Sequence, residues 1–114
     1  KLLLIMSENI ATFYLMVVIA MSDHELHEKE AMEIKDIAMK FKVNFDPYEA
    51  ADEIRYYYKK DFKKACDFYM SIVQNPEIQK ETINFLKRVI YSDKKIRDRE
   101  VEILEKCRKE WGIK

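Results

Sequence analysis

The chain has 114 residues, a length typical of one domain, and 48% of its residues are hydrophobic while 37% are charged. One glycine and two prolines leave little turn material for a many-stranded sheet and favour long helices. Lysine plus arginine equals aspartate plus glutamate at 21 each, so no bulk charge indicates nucleic acid or an anionic membrane as a partner. We therefore expect a single all-α domain over residues 1–114.

The first predicted helix is the most apolar part of the chain. Ser7 is a candidate N-cap, and apolar side chains then recur at steps of three and four as far as Met21. The polar residues Ser7, Glu8 and Asn9 interrupt the stretch from Leu2 to Met21, which leaves apolar runs shorter than the roughly 20 residues that a membrane span needs. We expect a core helix at the centre of the bundle and no transmembrane segment in this chain.

Start signals predict five further helices. Each signal is a capping side chain, a capping side chain followed by proline, or a crowd of carboxylates in a first turn. They occur at Glu28, Asp46-Pro47, Asp61, Asn75-Pro76 and Asp98. The apolar stripe hardly breaks before Asp61, so one continuous third and fourth helix stays an alternative. The chain as a whole is predicted to form a compact bundle of about six helices.

Two stretches of the chain, 70 positions apart, share one pattern. The stretch SDHELHEKE at residues 22–30 is matched by SDKKIRDRE at residues 92–100. Each stretch follows an apolar helical run and opens another, and apolar positions also match outside it, such as Leu15 with Phe85 and Ile37 with Cys107. The sequence therefore predicts one helical hairpin that is used twice.

Within each hairpin an aspartate ends the first helix, and a glutamate seven residues later lies one turn inside the second. The aspartate can accept amide hydrogen bonds from a tight loop, and the glutamate can reach back to an unpaired amide at the helix start. On this interpretation, Asp23 with Glu30 and Asp93 with Glu100 fix the two corners of the bundle.

The same four carboxylates are candidate ligands of a hard divalent cation, calcium or magnesium. Their spacing is not that of an EF-hand loop. The first copy is the better candidate, because the segment from Asp23 to Asp36 has six acidic and two basic side chains. His24 and His27, together with Glu28, are a weaker candidate site for zinc or nickel.

Aromatic rings and lysines alternate from Tyr56 to Lys64, as they do on surfaces that bind single-stranded nucleic acid. Helical spacing instead predicts Tyr57, Tyr58 and Phe62 on the buried face, with Tyr56 and the lysines outside. Because the chain is neutral overall, we expect no nucleic-acid partner. An acidic partner protein, or the acidic hairpin of a second copy in a homodimer, fits the lysines better.

The two cysteines, Cys66 and Cys107, lie on apolar helical faces, which predicts buried thiols in a reducing cytoplasm, with a disulfide between them as the weaker alternative. No phosphate-binding loop, serine elbow or cysteine with a histidine partner appears as a motif. We therefore predict a protein that is not an enzyme. Its expected location is the cytoplasm, with membrane association only through a partner or a segment upstream of Lys1.

The duplicated pattern resembles the TerB-like family, which comprises tellurite-resistance TerB and a related domain in some membrane-bound DnaJ-like co-chaperones. The resemblance covers about residues 10–113. The matching residues are Asp23, Leu26 and Glu30 in the first copy and Asp93, Ile96 and Glu100 in the second. The family has a glycine after each aspartate, where this chain has His24 and Lys94, so a left-handed corner would have to accept a side chain.

The resemblance implies an all-helical bundle, built on a duplicated hairpin, that acts in the response to tellurite or other chemical stress. It also implies that Asp23, Glu30, Asp93 and Glu100 bind a metal or contact a partner protein. The leading hypothesis is a non-enzymatic TerB-like stress-response module that binds a partner protein, with a divalent cation as a candidate ligand of its acidic hairpin. The alternative is a metal-ion sensor or carrier whose first hairpin is the binding site.

Overall fold

The computed structural model describes residues 6–114, and this part of the chain contains six α-helices and no strand. The helices are α1 (Glu8–Ala20), α2 (Glu28–Lys40), α3 (Pro47–Tyr58), α4 (Phe62–Ile72), α5 (Pro76–Tyr91) and α6 (Asp98–Trp111). The predicted all-α bundle of about six helices is confirmed. Residues 2–5 of the apolar N-terminal stretch lie outside the described residues.

Four of the helices begin at predicted capping side chains, each of which accepts a hydrogen bond from an amide in the first turn. These caps are Ser7, Asp46, Asp61 and Asn75. Proline follows two of them, at the first helical position, where its missing amide costs nothing. The third and fourth helices are separate, because Lys59 adopts a positive φ of 56° and ends α3.

The centre of the bundle is α1, which contacts each of the other five helices. Every side chain from Leu15 to Met21 is wholly buried, so this helix is apolar around its full circumference at that end. The other helices are amphipathic and lay their apolar faces against it. No helix among the described residues is long and apolar enough to cross a membrane.

The α1–α2 and α5–α6 hairpins repeat backbone features at the offset of 70 residues. Residues with positive φ pair at this offset: His24 (77°) with Lys94 (60°), and Lys42 (59°) with Gly112 (67°). Thr12 and Thr82 are also 70 residues apart, and their Oγ1 atoms share a buried hydrogen bond of 2.9 Å between α1 and α5. Because α1 also packs on α6, and α5 on α2, the two hairpin corners come to lie side by side.

The buried face predicted for the third helix is wrong at one residue. Tyr57 is 62% exposed, whereas Tyr58 is half-buried and Phe62 is buried as predicted. The helix ends at Tyr58, so its last turn extends beyond the core, and within that turn Tyr58 is the ring that packs against α4. Tyr56 and Tyr57 stand together outside, with their ring centroids 5.0 Å apart.

Candidate functional site: a carboxylate cluster around Arg97

The four predicted site carboxylates meet around one arginine. Arg97, the residue before α6, places Nη1 2.7 Å from Asp93 Oδ2 and Nε 3.0 Å from Asp23 Oδ2. The same Nη1 atom lies 3.8 Å from Oε2 of Glu30 and 3.8 Å from Oε2 of Glu100. The two hairpins thus contribute to one site. We call it the carboxylate cluster and define it as Asp23, His27, Glu30, Asp93, Arg97 and Glu100.

The two aspartates cap their loops as the capping hypothesis expects. Asp23 Oδ1 accepts a hydrogen bond from the Glu25 amide at 3.3 Å, and Asp93 Oδ1 accepts one from the Lys95 amide at 3.1 Å. The second oxygen of each aspartate faces Arg97. Each aspartate therefore stabilises its own loop through Oδ1. Its Oδ2 atom contacts Arg97, and the guanidinium links the two hairpins.

Glu30 does not make the predicted return bond to an amide of its own helix, and at Glu100 the only sign of such a bond is a weak contact with the Arg97 backbone amide. Glu30 and Glu100 occupy the third position of α2 and α6 and are 0% exposed, and none of their four carboxylate oxygens finds a hydrogen-bond donor. The reason is their direction, because both side chains extend between the hairpins towards Arg97 and each other. Buried carboxylates without donors are costly, so the pair needs another source of stabilisation.

A single shared proton can provide that stabilisation. Burial raises the pKa of Glu30, and the adjoining Glu100 carboxyl raises it further through a hydrogen bond and through charge repulsion. Burial also raises the pKa of Glu100, but the hydrogen bond with Glu30, the charge of Arg97 and the Arg97 backbone amide act in the opposite direction. We infer that Glu30 keeps the proton and donates a hydrogen bond to the Glu100 carboxylate, because two adjoining buried carboxylates cannot both ionise cheaply.

The aspartates of the cluster behave in the opposite way. Burial alone would raise the pKa of Asp93, but the hydrogen bond from Arg97, a loop amide and the charge of Arg97 lower it overall. Burial opposes the shift of Asp23 too, yet its contacts with His27 and a loop amide and the charges of His27 and Arg97 lower its pKa. The hydrogen bond to Asp93 raises the pKa of Arg97, so the guanidinium is permanently charged.

The position of Arg97 among the carboxylates disfavours the predicted calcium or magnesium site. Within residues 6–114, no three histidine, cysteine, aspartate or glutamate side chains form a group that could hold a metal ion. The Arg97 guanidinium lies among the four carboxylates, where a divalent ion would have to bind. A hard cation therefore needs Arg97 to move away first. In the observed arrangement the Arg97 guanidinium is itself the cation of the cluster.

The histidines predicted as a weaker zinc or nickel site separate in the structure. His27 Nε2 lies 3.0 Å from Asp23 Oδ2 and belongs to the cluster. The ring of His24 instead packs against Phe62, with the ring centroids 5.4 Å apart. Glu28 is exposed at the first position of α2. These side chains are therefore not brought together as one set of ligands.

Arg97 is the functional residue that the sequence interpretation missed. In the sequence it occurs only as an unremarked member of the second repeated stretch, at residues 92–100. The signal that could have identified it is the repeat itself, since Arg97 and His27 both follow an aspartate by four residues and both precede a helix. Neither side chain caps its helix. A large basic side chain at the capping position of both copies indicates a contact with the aspartate four residues earlier.

A second feature of the molecule is an exposed aromatic and basic surface at the α3–α4 junction. Its rings are 73%, 62% and 44% exposed, and the lysines around them are exposed too. We call it the tyrosine–lysine surface and define it as Tyr56, Tyr57, Lys59, Lys60, Lys63, Lys64 and Phe68. Asp61 is the single carboxylate between residues 56 and 64, and its Oδ1 accepts the Lys64 amide hydrogen bond that caps α4. Tyr58 lies beneath and contacts Phe68, which fixes the surface to the core.

Comparisons of the chain with protein-family models, with curated proteins and with solved structures found no match. The TerB-like resemblance thus remains an expectation that rests on the residues of the two corners. Function has to be argued from the carboxylate cluster and the tyrosine–lysine surface.

Proposed function

We propose that this protein is a non-enzymatic, TerB-like helical module that binds a partner protein through the tyrosine–lysine surface. The observation that supports this most is the exposure of Tyr56 and Tyr57 in the last turn of α3 and of Phe68 on the neighbouring α4. Tyrosine and other aromatic side chains are enriched among the residues that contribute most to protein interfaces, because they bury a large area at a small cost in side-chain entropy. Three such rings on one surface give a partner an apolar anchor.

The charge around these rings indicates the kind of partner. Four lysines and one aspartate lie between residues 56 and 64, and the aspartate is used as a helix cap. Such a local excess of positive charge attracts an acidic segment and raises its rate of association. A second copy of the chain could offer its own acidic hairpin, in which Glu25, Glu28 and Asp36 are exposed. A homodimer is therefore one specific form of the proposed interaction.

Under this proposal the carboxylate cluster has a structural role. Arg97 joins Asp23 of one corner to Asp93 of the other, so a single side chain holds both hairpins in register. The cluster lies within the fold rather than on the tyrosine–lysine surface. It would keep the bundle rigid, which lowers the entropic cost of binding a partner.

The test is photo-crosslinking in cells that make the protein. A benzophenone side chain is placed at position 57, or at position 91 as a matched control, because Tyr91 is 58% exposed on α5, which contacts neither α3 nor α4. We expect a discrete adduct from position 57 only, and its loss in Lys59→Glu/Lys60→Glu. The mass of the adduct separates a homodimer from a different partner. Equal labelling from both positions, or none from position 57, would contradict the proposal.

A second candidate function, a metal-ion sensor or carrier, is favoured by the burial of two adjoining carboxyl groups, those of Glu30 and Glu100. Thermal unfolding of chelator-treated protein, with calcium, magnesium, zinc or nickel added singly, discriminates the two functions, because a ligand of the folded state raises its midpoint. The partner-binding proposal expects no rise. A rise with one ion that disappears in Asp23→Ala would favour the metal function.

A further inference from the structure

Three sulfur atoms meet between α4 and α6, two from α4 and one from α6. The Sγ atom of Cys107 lies 3.7 Å from Sγ of Cys66 and 3.5 Å from Sδ of Met70. Cys66 and Met70 are one turn apart on α4, so they occupy the same face of that helix. Both cysteines are 0% exposed and Met70 is 4% exposed. Two thiols and a thioether thus converge in an apolar setting.

We propose that Cys66, Met70 and Cys107 form a binding site for a soft monovalent metal ion, copper(I). Thiolate and thioether sulfur select soft ions, whereas calcium and magnesium require oxygen. Metal–sulfur bonds are about 2.3 Å long for zinc, which exceeds half of either measured sulfur separation, so one ion can contact each adjoining pair with little movement of the side chains. This inference is independent of the tyrosine–lysine surface, because the sulfur atoms lie inside the bundle.

The number and type of the ligands argue for copper(I) rather than zinc. A structural zinc site takes four ligands, usually cysteine or histidine. The chain contains two cysteines, and its two histidines lie in the α1–α2 corner, where His24 contacts Phe62 and His27 contacts Asp23. Three sulfur ligands, one of them a neutral thioether, suit an ion of low charge and soft character.

Contact with Cys66 raises the pKa of Cys107, and burial and the Glu110 carboxylate raise it further, against a smaller opposing effect of Lys106. An ion that binds to Cys107 therefore displaces the proton of its thiol.

A groove in the surface provides an access route. It has a volume of about 360 Å³ and is lined by Met70 together with polar and acidic side chains, among them Asp67 and Glu110. Lys106 bridges these two carboxylates, with Nζ 2.8 Å from Asp67 Oδ1 and 2.9 Å from Glu110 Oε1. Met70 lines the groove and its Sδ atom touches Cys107, so Met70 connects the groove with the sulfur cluster.

The test is an anaerobic titration of the reduced protein with copper(I) against bicinchoninate, a coloured chelator of copper(I). We expect the protein to withdraw one equivalent from the chelator and its thermal midpoint to rise. Cys107→Ser and Cys66→Ser should abolish withdrawal, and Met70→Leu, which preserves the volume, should weaken it by at least tenfold. Met39→Leu is the matched control, because Met39 is 68% exposed on α2 and should bind as the wild type does.

Several outcomes would overturn the inference. They are no withdrawal by the wild-type protein, unchanged withdrawal by Cys107→Ser, or equal losses in Met70→Leu and Met39→Leu. Circular dichroism confirms that each variant is folded, and Met70→Leu keeps the test valid if the serine variants unfold. Silver(I), which undergoes no redox change in the assay, should raise the thermal midpoint of the wild type and leave that of Cys107→Ser unchanged.

Discussion

The two corners of the bundle have the same backbone and different chemistry. In each corner the side chain four residues after the aspartate contacts its Oδ2 atom, at 3.0 Å from His27 to Asp23 and at 2.7 Å from Arg97 to Asp93. Arg97 also crosses to Asp23 of the other corner at 3.0 Å. One copy of a repeated hairpin thus supplies the cation for both copies. The repeated backbone places the side chains at equivalent positions in the two corners. The difference between His27 and Arg97 at one such position determines which aspartates are contacted.

The two corners also differ in their contact with water. The side chains of Asp93 and Arg97 are 10% and 15% exposed, whereas those of Asp23 and His27 are each 26% exposed. Ion pairs strengthen as water is removed from around them, and the loss of one partner then leaves a more costly unpaired charge. We therefore expect the α5–α6 corner to respond more strongly to mutation than the α1–α2 corner.

The largest predicted effect follows from removal of Arg97. Arg97→Met leaves Asp23, Asp93 and Glu100 without their shared cation, which should lower the free energy of unfolding by about 3 kcal/mol, as for other buried pairs broken on one side. His27→Gln removes a partly exposed contact and should cost no more than about 1 kcal/mol. Urea unfolding of both variants at one pH measures the difference.

The double variant Arg97→Met/Glu100→Gln serves as the control for this comparison. If the loss in Arg97→Met comes from unpaired negative charge, neutralising Glu100 should restore part of it, so that the two changes are not additive. Equal losses in Arg97→Met and His27→Gln would show that the guanidinium does not organise the two corners.

The shared proton predicts a dependence of stability on pH. Because the pKa of Glu30 is raised in the folded state, the folded protein binds more protons than the unfolded chain above the ordinary glutamate pKa of about 4.3, and stability falls as the pH rises. One proton gives a slope of at most about 1.4 kcal/mol per pH unit. Glu30→Gln replaces the protonated acid by an uncharged group of similar shape and should remove this contribution.

The measurement is urea unfolding of the wild type and of Glu30→Gln between about pH 5 and about pH 8, above the titration of ordinary aspartates at about 3.9. The lowered pKa values of Asp23 and Asp93 mean that their stabilisation is lost only at more acidic pH. Subtracting the free energies of unfolding of the two proteins cancels the contributions of other groups that titrate in both. The stability of Glu30→Gln relative to the wild type should increase with pH, and parallel curves would contradict the shared proton.

Local signals in the sequence predicted much of this molecule, because they depend on neighbouring residues. The caps at Ser7, Asp46, Asp61 and Asn75 and the central position of the first helix follow from short-range patterns and are confirmed. The candidate site carboxylates were also chosen from spacing within single hairpins. What spacing could not predict is that the two hairpins share one site, since that depends on how α1 and α5 pack.

The residues that sequence reasoning placed wrongly, or did not place, have the same physical explanation. Glu30 is predicted to bond to its own helix, but the packing of the hairpins turns its carboxyl group towards Glu100. Helical periodicity predicts Tyr57 on the buried face of α3. Periodicity alone does not show that the last turn of this helix extends beyond the core, where Tyr57 is exposed. Helical faces predicted buried thiols at Cys66 and Cys107, and both are buried, but only the packing of α4 on α6 brings them within 3.7 Å.

The smallest predicted effect distinguishes the corners at the residue after each aspartate. His24 and Lys94 adopt φ of 77° and 60°, a region that costs a residue with a side chain about 1 kcal/mol relative to glycine. Lys94→Gly should therefore stabilise the protein by about 0.5 kcal/mol, after the greater freedom of glycine in the unfolded chain is subtracted. His24→Gly should gain less, because it also removes the ring that packs against Phe62.

Thermal unfolding of both glycine variants measures these gains, with Lys95→Gly as the control. Lys95 is an exposed lysine in the same loop, but its φ is not positive, so glycine there brings only the entropic cost and should destabilise. A larger gain in His24→Gly than in Lys94→Gly would mean that the contact with Phe62 does not stabilise the corner. The expected order instead requires that the α1–α2 corner offsets its backbone strain with an aromatic contact, whereas the α5–α6 corner depends on the ion pairs of Arg97.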